Sequence, residues 1–582
     1  MVEISTEQPW RMRAGLLAML GAAAGLASWL LLTDGGGWRY TEEPSRIAGA
    51  TFVVVAAIIF GFVLERRRAG WAALFALVSG LVVASVAWWN GRPDQWSDVG
   101  PWRLVSAGLA IAIAAPLFQV ARDQGRWLLP YPEVHRHAWT NVVIWCAGWL
   151  FVGITWLLVF LLAALFELIG IDLLKDMIDE SWFAHLLTGA AFGSAIGLLR
   201  ERERIVGALR RVATAILSVL APVLGAGLII FLGALPFTGL EPLWEATKST
   251  TPILLSCVIG GLILANAVIG ESAQDEADEP SPLRYGAMAL AASLLPLGVI
   301  AAISTGLRID QYGLTPERLW AVVFTGVATA YGLAYLVALV RRRKGWAELA
   351  RPANLRLSIG LCGLALLLST PLLSFNAISA RDQIARLNSG RTLPERFDWA
   401  ALRFDFGPPG RRALERLKSS PNPVVRAKAT EALAATDRWA LAEKVRVADA
   451  REGFADRVRV YPAGAALPPE LIDAITRHSQ CGAEGDHEQC VVRHQAEDGR
   501  AVLVHFPKNC PDCAPAVTSL RRLPSGGWGQ HIEATVPSSP PEDQKRATAR
   551  QKAAALRGEI EVRRVERSQV FLGGEPAGQA FE

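Results

Sequence analysis

The first 376 residues hold about eleven long apolar runs almost free of charge, and the last 206 hold none. A chain in lipid must satisfy its own backbone polar groups, and a long continuous apolar run does so only as a helix. The runs fall at 14–32, 47–64, 71–90, 104–121, 138–168, 182–199, 212–235, 252–270, 285–306, 320–340 and 357–375. Each reaches roughly the 17–25 residues that a helix needs to cross a ~30 Å hydrocarbon core. The fifth is longer and must tilt or begin outside the lipid. The first follows Arg11 and Arg13 and is followed by TDGGG, with no small-x-small cleavage site. It also exceeds the roughly 7–15 apolar residues of a signal peptide, so it reads as a retained helix. The expected fold is a membrane all-α bundle of about eleven helices over 1–376, followed by a soluble α+β domain over 377–582.

All 59 Lys and Arg lie outside these runs, and 31 of them fall beyond Asn376. With the N-terminus placed in the cytoplasm, the inner segments carry 20 Lys and Arg and the outer loops 8. The positive-inside rule selects that orientation. An odd number of spans then puts the C-terminal domain outside, which for a cell inner membrane is the periplasm. Many of the 20 Trp sit near run ends (Trp71, Trp88, Trp89, Trp102, Trp139, Trp182, Trp320), as an interfacial belt requires. The net charge of +5 is modest, and the arginine clusters lie at membrane borders. Nothing here implies nucleic acid; membrane lipids are the expected partners.

Small residues recur at one-turn spacing in two runs: Gly189, Gly193 and Gly197, then Gly225, Gly227 and Gly233. Such residues let helix backbones approach closely. Pro116, Pro222, Pro296 and Pro371 are expected to kink their spans. No inverted repeat of the transporter kind is visible.

In the soluble part, 377–390 is amphipathic and reads as a helix against the membrane or the domain. Expected next are a strand at 402–407, helices at 411–417 and 423–435, a strand at 457–461 and a helix at 468–478. A hairpin follows at 490–496 and 500–506 around EDG. A helix near 514–522, a strand near 529–535, a charged helix at 541–557 and a strand at 559–564 complete the reading.

Three segments carry a likeness. They are LFELIGIDLLKDMIDESWF (165–183), RIDQYGLTPERLW (308–320) and FDWAALRFDFGPPGRRALERL (397–417). In this order they resemble the bacterial membrane-protein family catalogued as domain of unknown function 4153. The resemblance runs to about residue 420 and implies this architecture. It carries no activity with it.

The sharpest chemical feature is Cys481, Cys490, Cys510 and Cys513, all within 33 residues. In an oxidising compartment an even set favours disulfides, most simply Cys481–Cys490 and Cys510–Cys513. Four zinc thiolates with His487 nearby are a second reading, which needs a cytoplasmic domain. The order strand, C-x-x-C, helix at 501–520 permits a third, thiol redox catalysis. Cys146, Cys257 and Cys362 lie in spans as small apolar residues.

Polar residues within spans are few. Asn266, Thr325, Thr329, Tyr331 and Tyr335 fit interhelical hydrogen bonding better than a cavity lining. Glu167 at the end of the fifth run reads as a headgroup-level group with Asp172 and Lys175. In the 308–320 motif, Gly313 suits a left-handed turn, and Thr315 can cap a helix that has Pro316 and Glu317 in its first turn. Arg308 and Arg318 are positive charges against the orientation bias. With Tyr312, they mark either a capped turn whose arginines snorkel or an anion site. Loop 169–181, with Asp172, Asp176, Asp179 and Glu180, is the expected counter-charge. His185 reads as an interface residue.

No cofactor loop, metal cage or catalytic constellation appears, so no cofactor is expected. The reading is an integral inner-membrane protein acting as an envelope scaffold, sensor or assembly factor. Its periplasmic domain would bind a protein or cell-wall component. The alternatives are a transporter or lipid-handling protein and a thiol-disulfide oxidoreductase. Alkaline phosphatase fused after Glu582 is expected to be active, and inactive when fused between Arg202 and Arg204; the reverse pattern overturns the topology.

Overall fold

A computed structural model describes residues 12–581 apart from 35–37, 39, 67, 94–95, 97–99, 240–249, 273–280, 443–453, 455–457, 479–480, 482–489, 496–498, 507–515, 524–525, 534–541, 561–567 and 573–574. The chain divides into two compact units, one of residues 1–386 with 404–413, the other of 387–403 with 414–582.

The first unit contains eleven helices long and apolar enough to cross a membrane. They are α1 (Arg13–Leu32), α2 (Pro44–Val63), α3 (Ala69–Asn90), α4 (Gly100–Gln124), α5 (Tyr131–Glu167), α7 (Ser181–Glu201), α8 (Glu203–Thr238), α9 (Thr250–Ile269), α10 (Ser281–Tyr312), α11 (Pro316–Arg342) and α12 (Ala347–Ser369). A short α6 (Leu173–Asp179) follows α5, and α13 (Phe375–Asn388) follows α12. Each expected run falls on one of the eleven. The eleventh starts ten residues earlier and ends at Ser369. Pro371 therefore lies past the helix end instead of inside a span. At 37 residues α5 is about 55 Å long, more than the hydrocarbon core requires. Its polar first turns, YPEVHRH, supply the excess.

Two apolar cores organise the bundle. One joins Leu17 of α1, Phe62 of α2, Ile144 and Val152 of α5, and Phe192 and Ile196 of α7. The other joins α8 to α12 around Leu290, Leu294, Leu297 and Tyr335, all fully buried. Helix α4 packs against α12, and α5 against α8, bridging the two groups.

Glycines set the closest approach. Gly189 and Gly21 face each other so tightly that a Cβ on either would strike the other's carbonyl. Gly193 meets the Leu17 carbonyl, Gly25 meets that of His185, and Gly197 meets the Ala14 backbone. Lipid provides no hydrophobic drive between helices, so this backbone contact supplies dispersion where bulky side chains would forbid it. In α8 only Gly225 plays this part, against Gly286; Gly227 and Gly233 face open space.

The second unit holds a five-stranded sheet in the order β1 (Arg459–Tyr461), β2 (Cys490–Gln495), β3 (Arg500–His505), β4 (Ala516–Arg522), β5 (Trp528–Glu533). Only the β1–β2 pair is parallel. The unit's helices are α15 (Pro423–Ala434), α16 (Pro469–His478) and α17 (Glu542–Leu556), while α14 (Gly407–Leu417) belongs to the first unit up to Ala413. Leu471, Ala474 and Ile475 of α16 pack with Val492, Leu503 and Leu520. Val491, Val502 and Val504 point the other way, toward Ala555 and Leu556 of α17. A sheet covered on both faces explains why β2 and β3 read as continuous apolar runs. A further hairpin, β6 (Ser568–Leu572) with β7 (Glu575–Phe581), has no counterpart in the sequence expectations.

Cys481 and Cys490 form a disulfide between the end of α16 and the first residue of β2, with Cα atoms 5.8 Å apart. Such bridges stabilise a small domain by about 2–4 kcal/mol. Cys510 and Cys513 lie outside the described residues.

Three local expectations change. The expected helix near 514–522 is strand β4, because Val517 and Thr518 are β-branched and pair against Val504 and Leu503. The expected strand at 402–407 is a π-helical turn, Ala401–Asp405. Among the described residues it has no sheet neighbour, and a lone strand would leave its backbone groups unpaired. The expected strand at 559–564 is irregular at 559–560 and otherwise lies outside the described residues.

Gly189→Ala is expected to lower the thermal midpoint of the detergent-solubilised protein, in keeping with an overpacking cost of about 1–3 kcal/mol. Gly227→Ala, which meets open space, leaves it unchanged. Equal responses would remove the packing role of the α1–α7 contact.

Candidate functional site

The 308–320 motif is the turn between α10 and α11. Gly313 adopts a left-handed conformation, φ +78°. Thr315 caps α11, its hydroxyl accepting from the Arg318 N–H at 3.4 Å. The last carbonyls of any helix lack partners within it. Those of α10 are met by α13, the amphipathic segment following the last span. Arg386 donates to the carbonyls of Ile309 (3.1 Å), Asp310 (2.6 Å) and Gln311 (3.3 Å). Gln383 donates to those of Tyr312 (2.9 Å) and Leu314 (3.1 Å). Asp382 accepts from the Leu314 N–H at 2.7 Å. Gly313 fits beneath this clamp because it lacks a side chain: a Cβ there would lie 2.6 Å from Arg386 Nε and Gln383 Nε2.

Arg318 finds its partners in its own turn. It donates to the Gly313 carbonyl at 2.7 Å and lies over the Tyr312 ring, 5.3 Å from the centroid. Arg308 is a like-charged neighbour of Arg318. Glu167 sits on another segment and pairs with Lys175, and this carboxylate holds the Lys175 ammonium above its ordinary pKa. Asp172 immediately precedes α6 in that segment. The structure thus groups Tyr312, Gly313, Thr315 and Arg318, and groups Glu167 with Asp172 and Lys175.

Span polar residues bond one another. Asn266 donates to Tyr335 Oη at 2.9 Å and accepts from Asn354 at 2.7 Å, tying α9, α11 and α12 together. Thr325 and Thr329 bond carbonyls of their own helix. His185 Nδ1 lies 2.8 Å from the Ser181 carbonyl.

Beside the clamp lies a pocket of about 360 Å³. Its aromatic walls are Trp89, Trp96, Trp320 and Phe375. Trp320 and Phe375 meet edge to face, 5.1 Å between centroids, on a floor containing Leu368. Trp89 donates to the Ser369 carbonyl at 3.2 Å, and Trp96 to that of Gly91 at 3.0 Å, so both rings are held in place. Pro408 and Pro409 close one side. Arg103 and Arg412 also line the pocket, and among the described residues neither has a carboxylate or carbonyl partner. Two guanidinium groups without partners among the described residues thus stand beside indole walls, a chemistry that matches an anionic group on an apolar or ring-shaped body.

The segments that build this pocket come from Trp89 to Arg412. A family model described as "Domain of unknown function (DUF4153)" matches residues 49–417. The chain belongs to this family. Every residue lining the pocket lies within the matched DUF4153 region. No curated protein and no solved structure matches the chain.

Trp320, Pro408, Pro409 and Arg412 stand in the motifs that carried the resemblance, and Trp89 in the aromatic belt. Arg103, Trp96 and Asn90 carried no local signal. A single arginine at a span border is indistinguishable in sequence from one that faces solvent.

Gly313→Ala is expected to destabilise the detergent-solubilised protein more than Gly170→Ala. Both positions have left-handed backbone, costing roughly 1–2 kcal/mol for an L-residue, but only Gly313 has a steric neighbour. Equal shifts in thermal midpoint would mean that the clamp adds nothing.

Proposed function

We propose that this DUF4153 member is a bacterial inner-membrane protein, N-terminus cytoplasmic, that binds an anionic envelope component at its periplasmic face. The single observation carrying this reading is the aromatic-walled pocket in which Arg103 and Arg412 have no acidic partner among the described residues. The turn between α10 and α11 lies on the same side of the bundle as this pocket, since the connections that follow the first, third, fifth, seventh, ninth and eleventh spans all fall on one side. The lysine and arginine bias supports placing that side outward. The indoles provide flat apolar surface and the arginines provide charge, which suits a phosphate or carboxylate borne on a lipid headgroup or glycan. A scaffold or sensor role follows from binding without chemistry. Asn266, Tyr335 and Asn354 bond in sequence in the span interior and tie three helices together, a packing role for these polar groups.

The test uses the full chain purified from native membranes in mild detergent. Extracted anionic components are identified by mass spectrometry for the wild type and for Arg103→Gln combined with Arg412→Gln. The wild type is expected to retain a component that the double variant loses by about tenfold or more, as removal of two charge-assisted contacts implies. Arg308→Gln, outside the pocket, should retain it. Equal retention in all three proteins overturns the reading.

A further inference from the structure

The opposite side of the bundle holds a second pocket, of about 600 Å³, with quite different walls. It is polar, and its residues come from the ends of α2, α4, α5, α7 and α8. Its framework is a capped helix terminus. Helix α2 ends at Val63, and three successive carbonyls there are taken by side chains from other helices. Gln119 donates to the Phe62 carbonyl at 2.9 Å, Arg122 to that of Val63 and Arg13 to that of Leu64. Arg68 in turn donates to the Arg122 carbonyl near the end of α4.

The charges in this cluster do not balance. Six arginines gather here: Arg13, Arg68, Arg122, Arg136, Arg200 and Arg210. Three carboxylates pair with them among the described residues, and two more border the cluster: Glu201 accepts from the Ala14 N–H at 3.4 Å and Glu133 from Gln124 at 2.7 Å. Glu65 pairs with Arg200 at 2.6 Å and with Arg13 at 3.4 Å. Asp123 pairs with Arg122 at 2.6 Å and lies 3.4 Å from His137. Glu271 pairs with Arg210. The other terminal nitrogen of Arg200, shielded from solvent, donates to nothing among the described residues. On the pocket wall Arg136 and Thr140, one turn apart on α5, likewise have no partner among the described residues.

Carbonyl caps alone would not require a cavity, because a filled cluster satisfies them equally well. Surplus positive charge around a half-enclosed polar volume is costly unless an anion enters it. Arginine forks match the oxygens of phosphate, and a threonine hydroxyl adds a neutral donor. We propose that this arginine pocket binds a phosphate group, presented through Arg136, Thr140 and Arg68 at its mouth. An anionic lipid headgroup or a soluble phosphate compound offers the same chemistry.

The experiment uses the full chain in nanodiscs of phosphatidylcholine. Thermal midpoint is followed while phosphatidylglycerol is added to the bilayer in one arm and inorganic phosphate to the solution in the other. A ligand that binds only the native state raises the midpoint with its concentration. A saturable rise with phosphatidylglycerol alone identifies a lipid source, and a rise with inorganic phosphate identifies a soluble one. Arg136→Glu is expected to weaken the response about tenfold or more. Arg66→Glu makes the same charge change on the same face, at an exposed position outside the pocket, and should respond like the wild type. Thr140→Val removes only the hydroxyl and should give a smaller loss, which keeps the test available if Arg136→Glu misfolds. No response to either probe, an undiminished Arg136→Glu, or equal losses in Arg136→Glu and Arg66→Glu would overturn the proposal.

Discussion

The membrane unit depends on one recurring interaction: an arginine from one helix donating to the bare carbonyls at the C-terminal end of another. Arg46 meets the Leu30 and Thr33 carbonyls after α1. Arg13 and Arg122, with Gln119, meet those of α2, and Arg68 meets α4. Arg351 donates to the Ile269 and Ser272 carbonyls past α9, and Arg386 to the end of α10. The end of a helix carries partial negative charge on groups with no partner of their own. At a membrane border water is scarce enough that these groups need a fixed donor. Arginine is suited to this, because its planar fork reaches several carbonyls at once and it holds its charge when partly buried.

This interaction gives the arginines at the two faces a structural role beside orientation. It also explains where the two candidate sites arise. Each pocket lies beside a cluster of capped termini, and each contains arginines that meet no carbonyl or carboxylate among the described residues. On the side of the α10–α11 turn the surplus is set among tryptophans, at the level where indoles favour the interface. On the other side it is set among polar side chains and one hydroxyl. The same device therefore stands beside both pockets, one walled by indoles and the other by polar side chains.

The second unit follows another logic. Its sheet is covered on both faces by α16 and α17, so its centre is apolar without alternation. The Cys481–Cys490 bridge ties α16 to the start of β2, within one of those two cores. Two segments of the chain depart from their local pattern. AVTSLRR follows a C-x-x-C and resembles a helix start, yet its pairing with β3 makes it a strand. LRFDFG alternates well, yet among the described residues no strand lies beside it, and it winds into a turn instead.

The spans themselves were legible in the sequence because lipid admits a single local solution, a helix that closes its own hydrogen bonds. The Thr315 cap and the left-handed Gly313 were legible for the same reason: their partners lie within a few residues. The partners of Arg13, Arg122 and Arg386 lie 51 to 77 residues away, and Trp89 reaches a carbonyl 280 residues on. Nothing in a run of residues encodes such a distance. Composition placed these side chains at the membrane borders, and helix packing alone decided which carbonyls they would reach and which of them would be left to face a pocket.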